Sequence, residues 1–210
     1  MLTLFRWLMR LTLLALALMV LAGGILWLFL TRSLPDYDED FSLAGISAPV
    51  EIVRSNDNVP HVFGESEADV FFALGFAHAQ DRLWQMVQLR RAAQGRLAEV
   101  FGERVLPVDE LMRRLDLYGL AVASAAVQPP ETRTVLEAYS AGVNAWIEQV
   151  NEGARGRGAP EFFLFSNEIA AWQPADSLAL VKLMALQLSG QTEAEVLRAR
   201  ASLVLPAARL

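Results

Sequence analysis

Twenty consecutive residues without a charge, Leu11 to Leu30 (LTLLALALMVLAGGILWLFL), constrain this chain more than any other feature. At about 1.5 Å per residue, a helix of that length spans about 30 Å, the thickness of a bilayer's hydrocarbon core. Trp7 and Trp27 lie near its two ends, where indoles favour the membrane interface. Arg6 and Arg10 precede the span, while Arg32 follows it and gives way to Asp36, Asp38, Glu39 and Asp40. The positive-inside tendency then keeps the N-terminus in the cytoplasm and exports the rest. A cleaved signal peptide is the competing reading, but its apolar region is about 7–15 residues long and ends at a small-x-small site. Here the apolar run continues past Gly23-Gly24 to Leu30. The expectation is a signal anchor in residues 1–32, an acidic linker over 33–48 and a body over 49–210. That arrangement is single-pass in the inner membrane, with the body in the periplasm or outside the cell.

The cysteine count is zero, which excludes a disulfide framework, a thiol nucleophile, a thiolate metal site and a lipoprotein anchor. The chain's formal charge is −6, and its first 35 residues hold three arginines and no acid, so the remainder carries −9. A surface that acidic does not suit nucleic acid, whose phosphates call for a basic patch.

Val50, Ile52, Val59 and Val62 flank Ser55-Asn-Asp-Asn58, residues that tolerate turn conformations, and this pattern predicts a β-hairpin over Pro49–Gly64. Ser66-Glu-Ala-Asp69 fits a capping box opening a long helix. In that helix Phe72, Phe76, Ala79, Leu83 and Met86 recur at helical spacing and form one apolar face. Gly95 is placed to end or kink it, and Gly102 to close the short run RLAEVFG. A second long helix is expected from Asp109 to about Val127, with Leu111, Leu115, Tyr118 and Val122 on one side. A third starts at Pro129-Pro130 and carries Val135, Tyr139, Gly142, Trp146 and Val150. Asn151–Pro160 reads as a Gly-rich loop, and EFFLF (161–165) is ambiguous between strand and helical turn. A last helix runs from Ser177 to about Leu188, is interrupted by Ser189-Gly190 and resumes from Thr192 to about Leu205. Four or five helices and one hairpin make an α+β, mostly helical chain. Helices as apolar all round as VFFALGFAHA are ones buried in something large.

Chemistry is harder to find. His61 and His78 are seventeen apart on different elements, no H-x-x-x-H spacing exists, and Gly-x-Ser-x-Gly and phosphate-binding Gly-Lys loops are absent. His78, Asp81 and Arg82 could form an acid–base cluster. The structural alternative, which we favour, has Asp81 and Arg82 pairing in a packed interface with His78 in the core, and gives His61 a structural role too. The residues alone supply no convincing nucleophile.

The segment Val50–Glu103, VEIVRSNDNVPHVFGESEADVFFALGFAHAQDRLWQMVQLRRAAQGRLAEVFGE, closely resembles the opening of the penicillin acylase family. LEAYSAGVNAWI (136–147), EFFLF, WQPADSLALVKLMALQL (172–188) and EVLRAR (195–200) follow in family order, so the resemblance covers about residues 45–205. It implies the α-chain portion of a four-layer αββα N-terminal-nucleophile hydrolase, in which a precursor is cut into α and β chains. The N-terminal Ser of the β chain attacks an amide carbonyl, and its own α-amine serves as the base. Under that resemblance the nucleophile lies outside this sequence, and the partners are the β chain and a small N-acyl substrate.

The resemblance also implies site residues. Met184 and Leu188 match helix positions lining the acyl pocket; Leu188 stands where better-known members carry an aromatic, and Gln187 where they carry an arginine. A wider or aliphatic pocket is the resulting hypothesis. Glu195, with Glu193 as the neighbouring candidate, matches an α-chain carboxylate on a structural calcium shared with the β chain. Glu195 also lies three residues before Arg198, the spacing of an exposed helical ion pair. A truncated fragment, or a tethered helical interaction protein, is the reading from another class.

Overall fold

A computed structural model describes residues 2–153, 158–163, 168–190 and 192–204. It contains a two-stranded sheet and eight α-helices among those residues: α1 (Leu2–Arg32), β1 (Glu51–Arg54), β2 (Pro60–Phe63), α2 (Glu67–Gln94), α3 (Ala98–Phe101), α4 (Leu106–Leu115), α5 (Leu117–Ala126), α6 (Pro130–Asn151), α7 (Pro174–Leu188) and α8 (Thr192–Ser202). The chain divides into two compact units, one of residues 1–86 and 138–172, the other of 87–137 and 173–210. Helix α1 is long and apolar enough to cross a membrane or to serve as a signal sequence, and none of its apolar window is buried.

In the first unit β1 and β2 pair antiparallel, with Glu51 opposite Phe63 and Arg54 opposite Pro60. Ser55 and Asn58 close the turn, and Asn58 takes the left-handed φ of 59° that asparagine tolerates. The apolar face expected on α2 is the core: Phe72, Phe76, Ala79, Leu83 and Met86 are all buried. Helix α6 crosses it so closely that a Cβ on Gly142 would sit 1.8 Å from the Phe72 carbonyl oxygen, and one on Gly75 would sit 2.1 Å from that of Tyr139. Glycine on each helix makes that approach possible. Phe76 stands edge-on to the buried Trp146 at 5.4 Å and to Phe41 at 5.0 Å. Asn144 and Asn151, two helical turns apart on α6, each clasp the backbone N–H and C=O of one residue in the following segment. Asn144 donates to the Trp172 carbonyl (3.0 Å) and accepts from its N–H (2.6 Å), and Asn151 does the same with Ile169 at 2.9 and 3.0 Å.

The linker is less free than its composition suggests. Phe41 packs on Phe76, and Ser47 donates its N–H (2.9 Å) and its hydroxyl (2.6 Å) to buried Asp69. The capping box at Ser66 is therefore half made. Ser66 Oγ accepts the Asp69 N–H, while the Asp69 carboxylate turns to Ser47.

The second unit is built on Ala93, Met112, Leu117, Ala121, Ala179 and Leu183. Asp109, buried on α4, accepts the Leu97 and Ala98 N–H groups at 2.8 Å each and so caps α3 from outside it. Three expectations change here. The helix from Asp109 to Val127 is two, α4 and α5, broken where Asp116 adopts φ 50°, ψ 40°; Gly119 leaves the room its carboxylate occupies. Of the side carrying Leu111, Leu115, Tyr118 and Val122 only Tyr118 packs against the core; the other three are exposed, and Met112, Leu117 and Ala121 are inside. Helix α7 starts at Pro174, three residues early. Gln173 supplies the N-cap and Asp176 completes the capping box by accepting the Gln173 N–H at 2.7 Å. Residues 160–163 form a 3₁₀ turn, with the rest of EFFLF outside the described residues, and α8 ends at Ser202.

Candidate functional site

The HAQDRLWQM run is an anchoring device in the first unit. Asp81 accepts from Arg54 of β1 at 2.9 Å and from the Tyr37 hydroxyl at 3.0 Å, and the Arg54 guanidinium lies 3.8 Å over the Tyr37 ring. Hairpin, the segment after α1 and α2 are thereby fastened at one point. His78 is not in the core, as expected, but on the exposed side of α2, where its Nδ1 meets the Tyr139 hydroxyl at 3.0 Å. Burial pushes that phenol up to about 12. Arg82 is exposed at a break in the helix (φ −136°, ψ 17°) and makes no ion pair among the described residues, so it does not pin the helix here. Trp84 does pack, edge-on to Phe162 at 5.1 Å. His61 is exposed on β2. With Asp81 committed to Arg54 and Tyr37, the acid–base cluster is not assembled.

On α7 the residues matched to the acyl pocket point outward. Met184 is 61% and Leu188 80% exposed, on one face with exposed Val181, and the exposed Gln187 adjoins them. No charged residue interrupts this stripe. On α8 the exposed Glu195 pairs with Arg198, as their spacing suggests. The alternative, Glu193, shares that helix, with its side chain outside the described part. Among the described residues no three potential metal-binding side chains come together.

Sequence reasoning missed two features. One is the Tyr37–Arg54–Asp81 junction, whose members lie 17 and 27 residues apart and carry no local signal. The other is a cleft of about 810 Å³ in the first unit, bounded by the segment after α1, the hairpin and α2.

Comparison with known proteins gives these parts a context. The family model described as penicillin amidase matches residues 49–209. Penicillin acylase 2 proenzyme from Pseudomonas sp. (strain SE83) is 38% identical over 158 residues, 75% of this chain and 20% of that protein. The acyl-homoserine lactone acylase QuiP of Pseudomonas aeruginosa is 33% identical over 186 residues, 85% of this chain and 21% of that protein. Among solved structures, a thermostable penicillin G acylase from Alcaligenes faecalis superposes with a TM-score of 0.63 at 29% identity. The match covers 74% of this chain and 82% of that one. The chain belongs to the penicillin amidase family. It spans about a fifth of the length of the curated relatives it matches.

Proposed function

We propose that this chain is the α-chain part of an exported, membrane-anchored amidohydrolase that cleaves the linear amide of N-acyl compounds, of penicillin or N-acyl-homoserine lactone type. The observation that carries the reading is the continuous family match over 49–209, shared with acylases named for both substrate types. In this reading the nucleophile is the N-terminal serine of a β chain from the same precursor. Its hydroxyl adds to the amide carbonyl while its α-amine takes the proton; the amine product leaves, and water releases the acid. The two chains together would form the four-layer αββα body. Helix α1 would hold it to the inner membrane, with the body on the outer side.

This chain's share is the acyl pocket and support. Met184 and Leu188 are ready to form one wall, because they are apolar, uncharged in their surroundings and open. Leu188 in place of an aromatic ring favours an aliphatic acyl group. Glu195 fits as one hard-oxygen donor to a structural calcium, once it exchanges Arg198 for the ion; calcium's six to eight oxygens require the remainder from the β chain.

The test starts from membranes of the native host: a tagged chain is solubilised and purified, and every accompanying polypeptide is weighed intact and sequenced from its N-terminus. A bound second chain beginning with serine supports the reading; a chain that comes out alone favours a fragment or a tethered interaction protein. In the assembled enzyme, Leu188→Phe should shift preference from short alkyl toward phenylacetyl amides, and an unchanged ratio would remove Leu188 from the pocket.

A further inference from the structure

The cleft in the first unit has a chemistry of its own. Its apolar lining comes from Phe41, Ile46, Ile52, Phe63, Phe72 and Phe76, and its rim carries Asp38, Asp40, Glu51 and Glu65. Those four carboxylates are exposed, and Arg54, held by Asp81, is the cation in the lining. About 810 Å³ is ample for several side chains, yet Phe63 stays 56% exposed on β2. The hairpin beside it consists of two four-residue strands, and an isolated hairpin of that size is marginal in water without further cover.

We infer that this cleft is the seat of a segment from the part of the precursor missing here, a short apolar stretch flanked by lysine or arginine. The inference rests on the proposed two-chain reading and names one of the contacts that hold it together. Three observations converge on that occupant. The chain covers about a fifth of its relatives' length, so most of the polypeptide able to cover the cleft lies outside these residues. The lining is aromatic and aliphatic, which suits inserted apolar side chains. The rim is acidic, which selects a basic flank and disfavours the anionic surface of a membrane. The Tyr37–Arg54–Asp81 junction gives the cleft a fixed wall, since it ties the post-anchor segment to the hairpin and α2 before the occupant arrives.

The experiment uses the full precursor, expressed in its host with a photo-crosslinking phenylalanine analogue in place of Phe63, followed by mass mapping of the linked peptide. The expected product joins Phe63 to a β-chain peptide of apolar residues bordered by Lys or Arg. In parallel, the double variant Glu51→Lys with Glu65→Lys should slow assembly of the two chains roughly ten-fold at low salt, with the deficit shrinking as salt rises. Glu51→Gln with Glu65→Gln should fall in between. Glu131→Lys, an exposed acid on α6 outside the cleft, should leave the rate unchanged and controls for net charge. A crosslink to lipid, to this chain itself or to an acid-flanked peptide overturns the inference while leaving the two-chain reading standing, as does an assembly rate indifferent to charge reversal. If no second chain accompanies the protein at all, the proposed function fails first, and the cleft assignment falls with it.

Discussion

The seam between α2 and α6 in the first unit and the outward face of α7 in the second are both apolar, yet they are in opposite states. At the seam Phe72, Phe76, Val143 and Trp146 are buried, and two glycines bring the helices into backbone contact. On α7, Val181, Met184 and Leu188 are exposed, although Ala179 and Leu183 on the other side of the same helix are fully packed. The seam is closed by this chain's own residues; the stripe on α7 is open, and in the proposed reading it is the acyl-pocket wall that the β chain completes. On the proposed two-chain reading, the contrast separates residues that hold this chain's own fold from residues whose effect registers in the assembled protein.

The largest expected effect lies at the seam. Gly142→Leu would drive carbon into the Phe72 carbonyl, which is backbone and cannot swing aside. Overpacking a core typically costs about 1–3 kcal/mol, and a forced backbone separation exceeds that, so little folded protein should be recovered. Gly142→Ala should fold but melt well below the parent, as followed by circular dichroism. If both variants behave like the parent, the close crossing is wrong.

Asp176→Ala comes next. This carboxylate, 1% exposed, accepts from Tyr118 at 2.8 Å and Gln173 at 2.7 Å and faces the buried Arg90 at 3.4 Å. Removing one member of a buried pair costs about 3–5 kcal/mol, because the remaining charge loses its counterion. Asp176→Asn keeps shape and some hydrogen bonding and should recover part of the loss. Denaturant unfolding of the two variants beside the parent decides it.

These two sites also show how much the sequence could disclose. The α2 and α6 faces were legible because apolar residues recur at helical spacing and find partners inside this chain. The hairpin was legible because Asn58 and its neighbours are turn formers. The same periodicity put Leu111, Leu115, Tyr118 and Val122 on one side of a helix, yet only Tyr118 packs against the core: spacing identifies an apolar side but not what covers it. The break at Asp116 was hidden because one aspartate in a left-handed conformation leaves no pattern. Asp81 looked like a member of a local cluster with His78 and Arg82, whereas its partners, Tyr37 and Arg54, come from distant segments. Met184 and Leu188 were proposed for the acyl pocket through resemblance alone, with spacing adding only that they share a face.

Asp69 offers a finer test through acid. Its carboxyl is held down to about 2, chiefly by the Ser47 hydroxyl and then by that residue's N–H. An aspartate whose folded value lies below its unfolded value of 3.8 stabilises the protein above the unfolded value and loses that contribution as pH falls toward the folded one. The melting gap between parent and Asp69→Asn should therefore be constant from neutral pH to about pH 5 and close between about pH 4 and pH 2. A gap that persists at pH 2 would show that the contact with Ser47 does not depend on the carboxylate's charge.

The smallest effect on the fold belongs to the residues expected to matter most for function. At 80% exposure Leu188 has little left to lose within this chain, and surface substitutions away from packed features usually change stability by less than about 0.5 kcal/mol. Leu188→Ser should leave local protection of α7 against hydrogen exchange almost unchanged in this chain. On the proposed reading, the same substitution in the assembled protein should lower turnover of alkyl amides through KM more than kcat, because a pocket-wall Leu188 would contact the bound acyl group and not the reacting atoms. The split distinguishes the two states of apolar surface. If Leu188→Ser destabilises the chain itself, the stripe on α7 is closed within the chain like the seam on α2. If it lowers kcat with KM unchanged, Leu188 acts on the placement of the reacting groups and is not a wall of the acyl pocket.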